Sequence, residues 1–161
     1  DPFNLTLKAT QALLQLQQFK QIHIVLGGAF KHQEIFELEK EHPNQVVIHK
    51  NLSEKILINV MKSCQFAIAP ASTILYELCC VKMPILSGFY IDNQELIYKG
   101  FTDFNAVFEG GDFENYTVND FKKRILSIVK LSNFEGYINA QKQLFDHKIA
   151  ERHLKIINSL C

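Results

Sequence analysis

Short runs of apolar residues, four or five long, alternate along this chain with stretches whose apolar positions recur at helical spacing. Leu5, Ala9, Ala12, Leu13, Leu16 and Phe19 fall on one face of a first helix, with Asn4 as its cap. Ile22 to Leu26 reads as a strand closed by Gly27-Gly28, and His32 to Glu41 as a helix broken by Pro43-Asn44. Val46 to His49 is a second strand, followed by a helix that Ser53 caps and that repeats Ile56, Leu57, Val60 and Met61. Phe66 to Ala69 predicts a strand, Ser72 to Val81 a buried helix, and Pro84 to Ser87 a further strand. Asn93 to Phe101 predicts a helix, Ala106 to Phe108 a last short strand, and Gly110-Gly111-Asp112 a turn. Two closing helices are expected over Val118 to Leu131 and Tyr137 to Leu160.

Strands that alternate with helices of about ten residues point to an α/β domain, a Rossmann-like parallel sheet with helices on both faces. The loops leaving the strand C-termini then share one edge, where open α/β sheets bind ligands. Those loops hold residues 27–32, 50–53, 70–73, 88–94 and 109–112.

The length of 161 residues fits a single domain spanning residues 1–161. Lys plus Arg equals Asp plus Glu at 17 each, so there is no basic excess of the kind that marks a general nucleic-acid binder. No apolar run approaches the roughly 20 residues of a membrane span. A chain opening on Asp1, with no leader, reads as part of a longer, cytoplasmic protein. Cys64, Cys79, Cys80 and Cys161 have no zinc or CxxC spacing and read as free buried thiols in a reducing compartment. His147 and His153, six apart, do not share a helix face as metal ligands would, and no cofactor is expected.

The chemistry concentrates in Pro70-Ala71-Ser72-Thr73-Ile74-Leu75-Tyr76-Glu77. A strand that ends at a helix N-terminus offers free backbone amides to an anion. Ser72 also suits a plain N-cap. Between Ser63 and Ser87 only Glu77 and Lys82 are charged. Glu77 thus reads as a lone acid in an apolar helix, needing either a basic neighbour or a ligand's hydroxyls. Asp92 and Glu95 have capping-box spacing, which leaves Asn93 and Gln94 in the first helical turn with donors and acceptors for a ligand or for solvent. Lys50, Asn51 and His32 lie in ligand-edge loops. The GxGxxG fingerprint, the P-loop and the GxSxG elbow are all absent. A phosphate joined to a polyhydroxyl group would satisfy both the helix start and Glu77, which points to a nucleotide or a nucleotide-sugar.

Taken together, these segments resemble the C-terminal half of the two-domain GT-B architecture. The nearest likeness is the family of UDP-sugar hydrolases of pseudaminic acid biosynthesis and spore-coat polysaccharide synthesis proteins. The peptidoglycan GlcNAc transferase is a more distant relation. The likeness rests on residues 1–5, 25–27 and 66–69, on Pro84-Ile85, and above all on the spacing of Ser72-Thr73, Glu77 and Asn93-Gln94. It implies a UDP-sugar ligand: Asn51 and Leu52 would meet the base, Ser72 and Thr73 the diphosphate, Glu77 the ribose diol, and Asn93 and Gln94 the phosphates or the sugar. It also implies an N-terminal domain of the same protein that carries the catalytic base, so no catalytic residue is assigned within this chain. The alternative is a non-catalytic α/β regulatory or interaction module.

Overall fold

The structure, a computed structural model, describes residues 1–146 and 148–159. The sequence-based expectations for His147, Leu160 and Cys161 lie outside the described residues.

The element order is α1 (Leu5–Leu16), β1 (Ile22–Leu26), α2 (Glu34–Glu41), β2 (Val46–Lys50), α3 (Glu54–Ser63), β3 (Ala67–Pro70) and α4 (Thr73–Val81). It continues with β4 (Ile85–Phe89), α5 (Asp92–Asp103), β5 (Phe108–Asp112), α6 (Val118–Val129), α7 (Glu135–Leu144) and α8 (Ile149–Ser159). This is the Rossmann-like α/β pattern, and every strand pair is parallel. The ladder, however, forms two small sheets, β1-β2 and β3-β4-β5, where the alternation predicts one.

Helices cover both faces of the three-stranded sheet. Strand side chains alternate sides, so Ala67, Ala69 and Ile85 meet Leu57, Met61, Leu75, Leu78, Phe101 and other residues of α3, α4 and α5. Ile68, Leu86 and Phe108 face the opposite way, onto Leu5 and Ala12 of α1 and Phe121, Ile125 and Ile128 of α6. In the two-stranded sheet, Ile22, Ile24, Leu26 and Val46 pack with Ile35 of α2 and Leu7, Leu13 and Leu14 of α1.

Four local expectations are corrected. Gly110-Gly111-Asp112 is not a turn but the second half of β5, paired with Gly88 and Phe89 across a register shift at Ser87/Gly88. A Cβ built on Gly110 would lie 2.4 Å from the Phe113 ring and 2.6 Å from the Ser87 carbonyl, so the irregular ladder needs a residue without a side chain there. The last predicted helix is two helices. Lys82 donates its ammonium to the carbonyls of Gln141 (3.0 Å) and Phe145 (3.2 Å), satisfying carbonyls at the C-terminal end of α7. Asn4 does not cap α1 through its side chain. The Asp1 carboxylate does, accepting the amides of Leu5 (2.8 Å) and Thr6 (2.9 Å). Cys79 is buried as expected, but Cys80 is exposed and Cys64 only half-buried.

Candidate functional site

Parallel pairing sends the loops after β1 and β2 to one edge, and those after β3, β4 and β5 to one edge of their own sheet. At the end of β3 the chain is held by an Ala71 amide that donates to the Gly88 carbonyl at 2.7 Å. Ser72 follows in extended conformation and is the N-cap residue of α4, yet its side chain makes no cap bond. The Leu75 amide donates to the Ser72 carbonyl (3.0 Å), while the amides of Thr73 and Ile74 have no protein acceptor among the described residues. Two free donors and an unengaged hydroxyl therefore sit at the positive end of the α4 dipole.

Glu77 corrects the picture of a buried acid. Helical phase turns Leu75, Leu78 and Cys79 into the core, and leaves Glu77 exposed beside Tyr76 and Cys80. It takes part in no ion pair among the described residues. Its carboxylate is solvated and free, so no partner is required by burial.

Asn93 is exposed in the first turn of α5, but Gln94 is 6% exposed and its Oε1 accepts the Tyr90 amide at 3.1 Å. The Asp92–Glu95 capping box does not form, because α5 begins at Asp92 itself with Ile91 as the N-cap. No side chain caps α5, and that of Gln94 is turned back onto its own chain, holding the residue before the N-cap.

Asn51 leaves β2 in the left-handed region (φ 51°), exposed, with Leu52 half-buried beyond it. Its Oδ1 lies 3.9 Å from where a Cβ on Gly28 would stand, so the exits of β1 and β2 are adjacent. Lys50 is drawn aside, its ammonium 4.0 Å from the centroid of the Phe36 ring. His32 bonds the Asp1 carbonyl through Nε2 at 2.5 Å. The structure thus groups Gly28 with Asn51 at one sheet edge, and Ser72 and Thr73 with the β4 exit at the other. No hydrogen bond joins the two groups among the described residues.

One pair was not legible in advance. His23 and His49 stack across β1 and β2, with Nδ1 of His23 2.9 Å from Nε2 of His49. Burial, and then the neighbouring His49, pushes the His23 ring below its ordinary value of 6.5. Both residues were assigned to strands, but only the register puts them together.

Among the described residues no group of three His, Cys, Asp or Glu could hold a metal, and no helix is long and apolar enough to cross a membrane. Two open concavities lie away from Ser72 and Asn51. One, of about 400 Å³, is lined by Tyr116, Asp120, Lys123, Arg124 and Ser127 of the α6 region. The other, of about 420 Å³, is an apolar groove between α4, α5 and α7 that includes Tyr76, Leu96, Phe101, Phe104 and Phe145. The sequence matches no protein-family model, and no curated protein matches it.

Proposed function

We propose that this chain is the nucleotide-sugar-binding domain of a two-domain enzyme, a UDP-sugar hydrolase or glycosyltransferase of surface-polysaccharide or nonulosonic acid biosynthesis. The observation that carries the reading is the uncapped start of α4, where the amides of Thr73 and Ile74 and the Ser72 hydroxyl lack protein partners. An anion such as a diphosphate is stabilised there by the amides and the helix dipole together. In the reaction, the same dipole would favour charge on a departing phosphate. Glu77, one turn further along an exposed face, is a free acceptor for a ribose diol. Asn51 and the backbone at Leu52 would meet the base, and Asn93 the phosphates or the sugar. Gln94 is given a supporting role, holding the β4–α5 turn through the Tyr90 amide. The general base belongs to the N-terminal domain in this reading, and the enzyme acts in the cytoplasm.

Titration with UDP and with AMP tests this. UDP is expected to bind more tightly, and Glu77→Ala to weaken UDP by about 1–3 kcal/mol through a lost hydrogen-bond partner. The absence of any UDP-induced thermal shift at millimolar concentration, in this chain and in a longer protein containing it, would overturn the reading. The exposed apolar groove beside Tyr76 and Phe104 favours a second reading, a non-catalytic interaction module, which that negative result would support.

A further inference from the structure

Helix α5 carries a glycine that its own fold does not require. Gly100 lies inside α5, before the C-cap Phe104, and its φ is not in the left-handed region. A Cβ built on it would meet nothing within 4 Å. Glycine is among the least favourable residues inside a helix, so neither packing nor backbone conformation within this chain accounts for it. Four residues to either side stand Leu96, 81% exposed, and Phe104, 61% exposed. At that spacing the three residues share one face. With the half-exposed Tyr76, they leave roughly 300–400 Å² of side chain open, the usual size of the largest apolar patch on a monomer.

One flank of this face descends through Ile97 and Phe101 into the groove that Tyr76 and Phe145 also line. By helical phase, the other flank carries Lys99 and Asp103. α5 leaves the C-terminal end of β4 and finishes before β5, so its last turns lie toward the sheet edge opposite Ser72. α7 is fastened at that same edge, where Gln141 bonds the carbonyls of Met83 and Ala106. A partner seated here leaves the edge with Ser72 open.

The face is its own complement. Two α5 helices packed antiparallel about a two-fold axis at Gly100 bring together residues equally far before and after it. Leu96 of each copy then meets Phe104 of the other, and Gly100 meets Gly100, where the missing side chains let the helices approach. The same axis keeps the two polar flanks on one side. There Lys99 of one copy and Asp103 of the other differ in height by about 3 Å, two residues of helical rise. Among the described residues Asp103 takes part in no ion pair, and Lys99 pairs only with Glu95. Lys plus Arg equals Asp plus Glu over the chain, 17 each, so copies do not repel one another at long range.

We propose that α5 is a self-docking surface, through which two copies of this chain associate antiparallel with their helices crossing at Gly100. Leu96 and Phe104 interlock at the centre, and Lys99–Asp103 pairs between copies flank them. A patch of this size stands at the low end of specific interfaces, so the association is transient, with a micromolar dissociation constant. It holds whatever ligand the sheet edge takes.

Sedimentation velocity over a concentration series tests the proposal on residues 1–161. A reversible doubling of mass at micromolar concentration is expected. Gly100→Gln adds a helix-favouring side chain, so the melting temperature of the dilute monomer should rise while the dissociation constant increases at least tenfold. Lys99→Asp and Asp103→Lys chains should each be monomeric alone and dimerise when mixed, because only the mixed pair sets opposite charges together at both flank contacts. Gly100→Cys should give a reducible covalent dimer under mild oxidant where the wild-type chain gives none. A wild-type chain that stays monomeric into the submillimolar range would overturn the proposal. So would a dimer that Gly100→Gln leaves unchanged, which places the contact on another surface. A dimer that disappears when everything after Lys148 is removed would overturn it as well, assigning the contact to α8.

Discussion

A carboxylate costs little where water reaches it, and Glu77 lies on the outward face of α4. Its apolar sequence neighbours misrepresent its surroundings, because Leu75, Leu78 and Cys79 point the other way. Ser72 is a more informative residue than capping alone would make it, since its side chain leaves the helix start unsatisfied. Cys79 shows what burial does to a titrating group: its thiol is pushed up to about 12 by desolvation, only partly offset by Lys82. His23 carries a consequence for stability. Its ring is held below 6.5 in the folded chain, so between that lower value and 6.5 the unfolded chain binds more protons. Its stabilisation is complete above 6.5 and is lost as pH falls through the folded value. Urea unfolding from pH 8 down to pH 5 should show stability declining below pH 6.5, with a shallower decline in His23→Gln. An equal decline in the variant would show that the histidine pair is not responsible.

The elements hold together through a few polar ties as much as through apolar packing. Gln141 of α7 is fully buried, and its Nε2 donates to the carbonyls of Met83 (2.9 Å) and Ala106 (2.8 Å), just before β4 and β5. Gln141→Leu leaves both carbonyls buried without a donor. A loss of about 1–3 kcal/mol is expected, read as a lower urea midpoint at unchanged slope. A wild-type midpoint would mean that water replaces the amide. At the far end of the sheet, Tyr98 and Tyr116 bind the Gly111 amide and the Gly110 carbonyl of β5. These ties fasten the bulged strand. Nothing in the local pattern announces them: Gly-Gly-Asp is a turn signal by composition, and it runs as strand because it pairs with β4, with the Phe113 ring and the Ser87 carbonyl leaving no room for a Cβ at Gly110.

At the scale of the whole molecule, the two sheets share α1, and α8 stands apart. None of the α8 residues from Ile149 to Ser159 is buried, and Ile149, Leu154, Ile156 and Ile157 are exposed. Removing everything after Lys148 should therefore shift the melting temperature by less than about 3 °C, whereas loss of an element packed in the core would cost several times more. A fall of 10 °C or more would show that α8 covers core surface. Absence of a family match leaves the UDP-sugar reading resting on the α4 start and on the titration that tests it.

The sequence by itself determined the order of strands and helices, because apolar runs and helical spacing are local signals that burial on both faces of a sheet makes strong. It also placed Ser72 and Asn51 just beyond the C-terminal ends of β3 and β2. Boundaries shifted wherever a distant group intervened, as when Lys82 met the end of α7. Only the tertiary structure decided that the ladder is split between β1 and β3, that His23 meets His49, that Gln94 folds back to Tyr90, and that Glu77 faces water. Each depends on register or helical phase between segments far apart in the chain. Those are set by packing, and no window of neighbouring residues contains them.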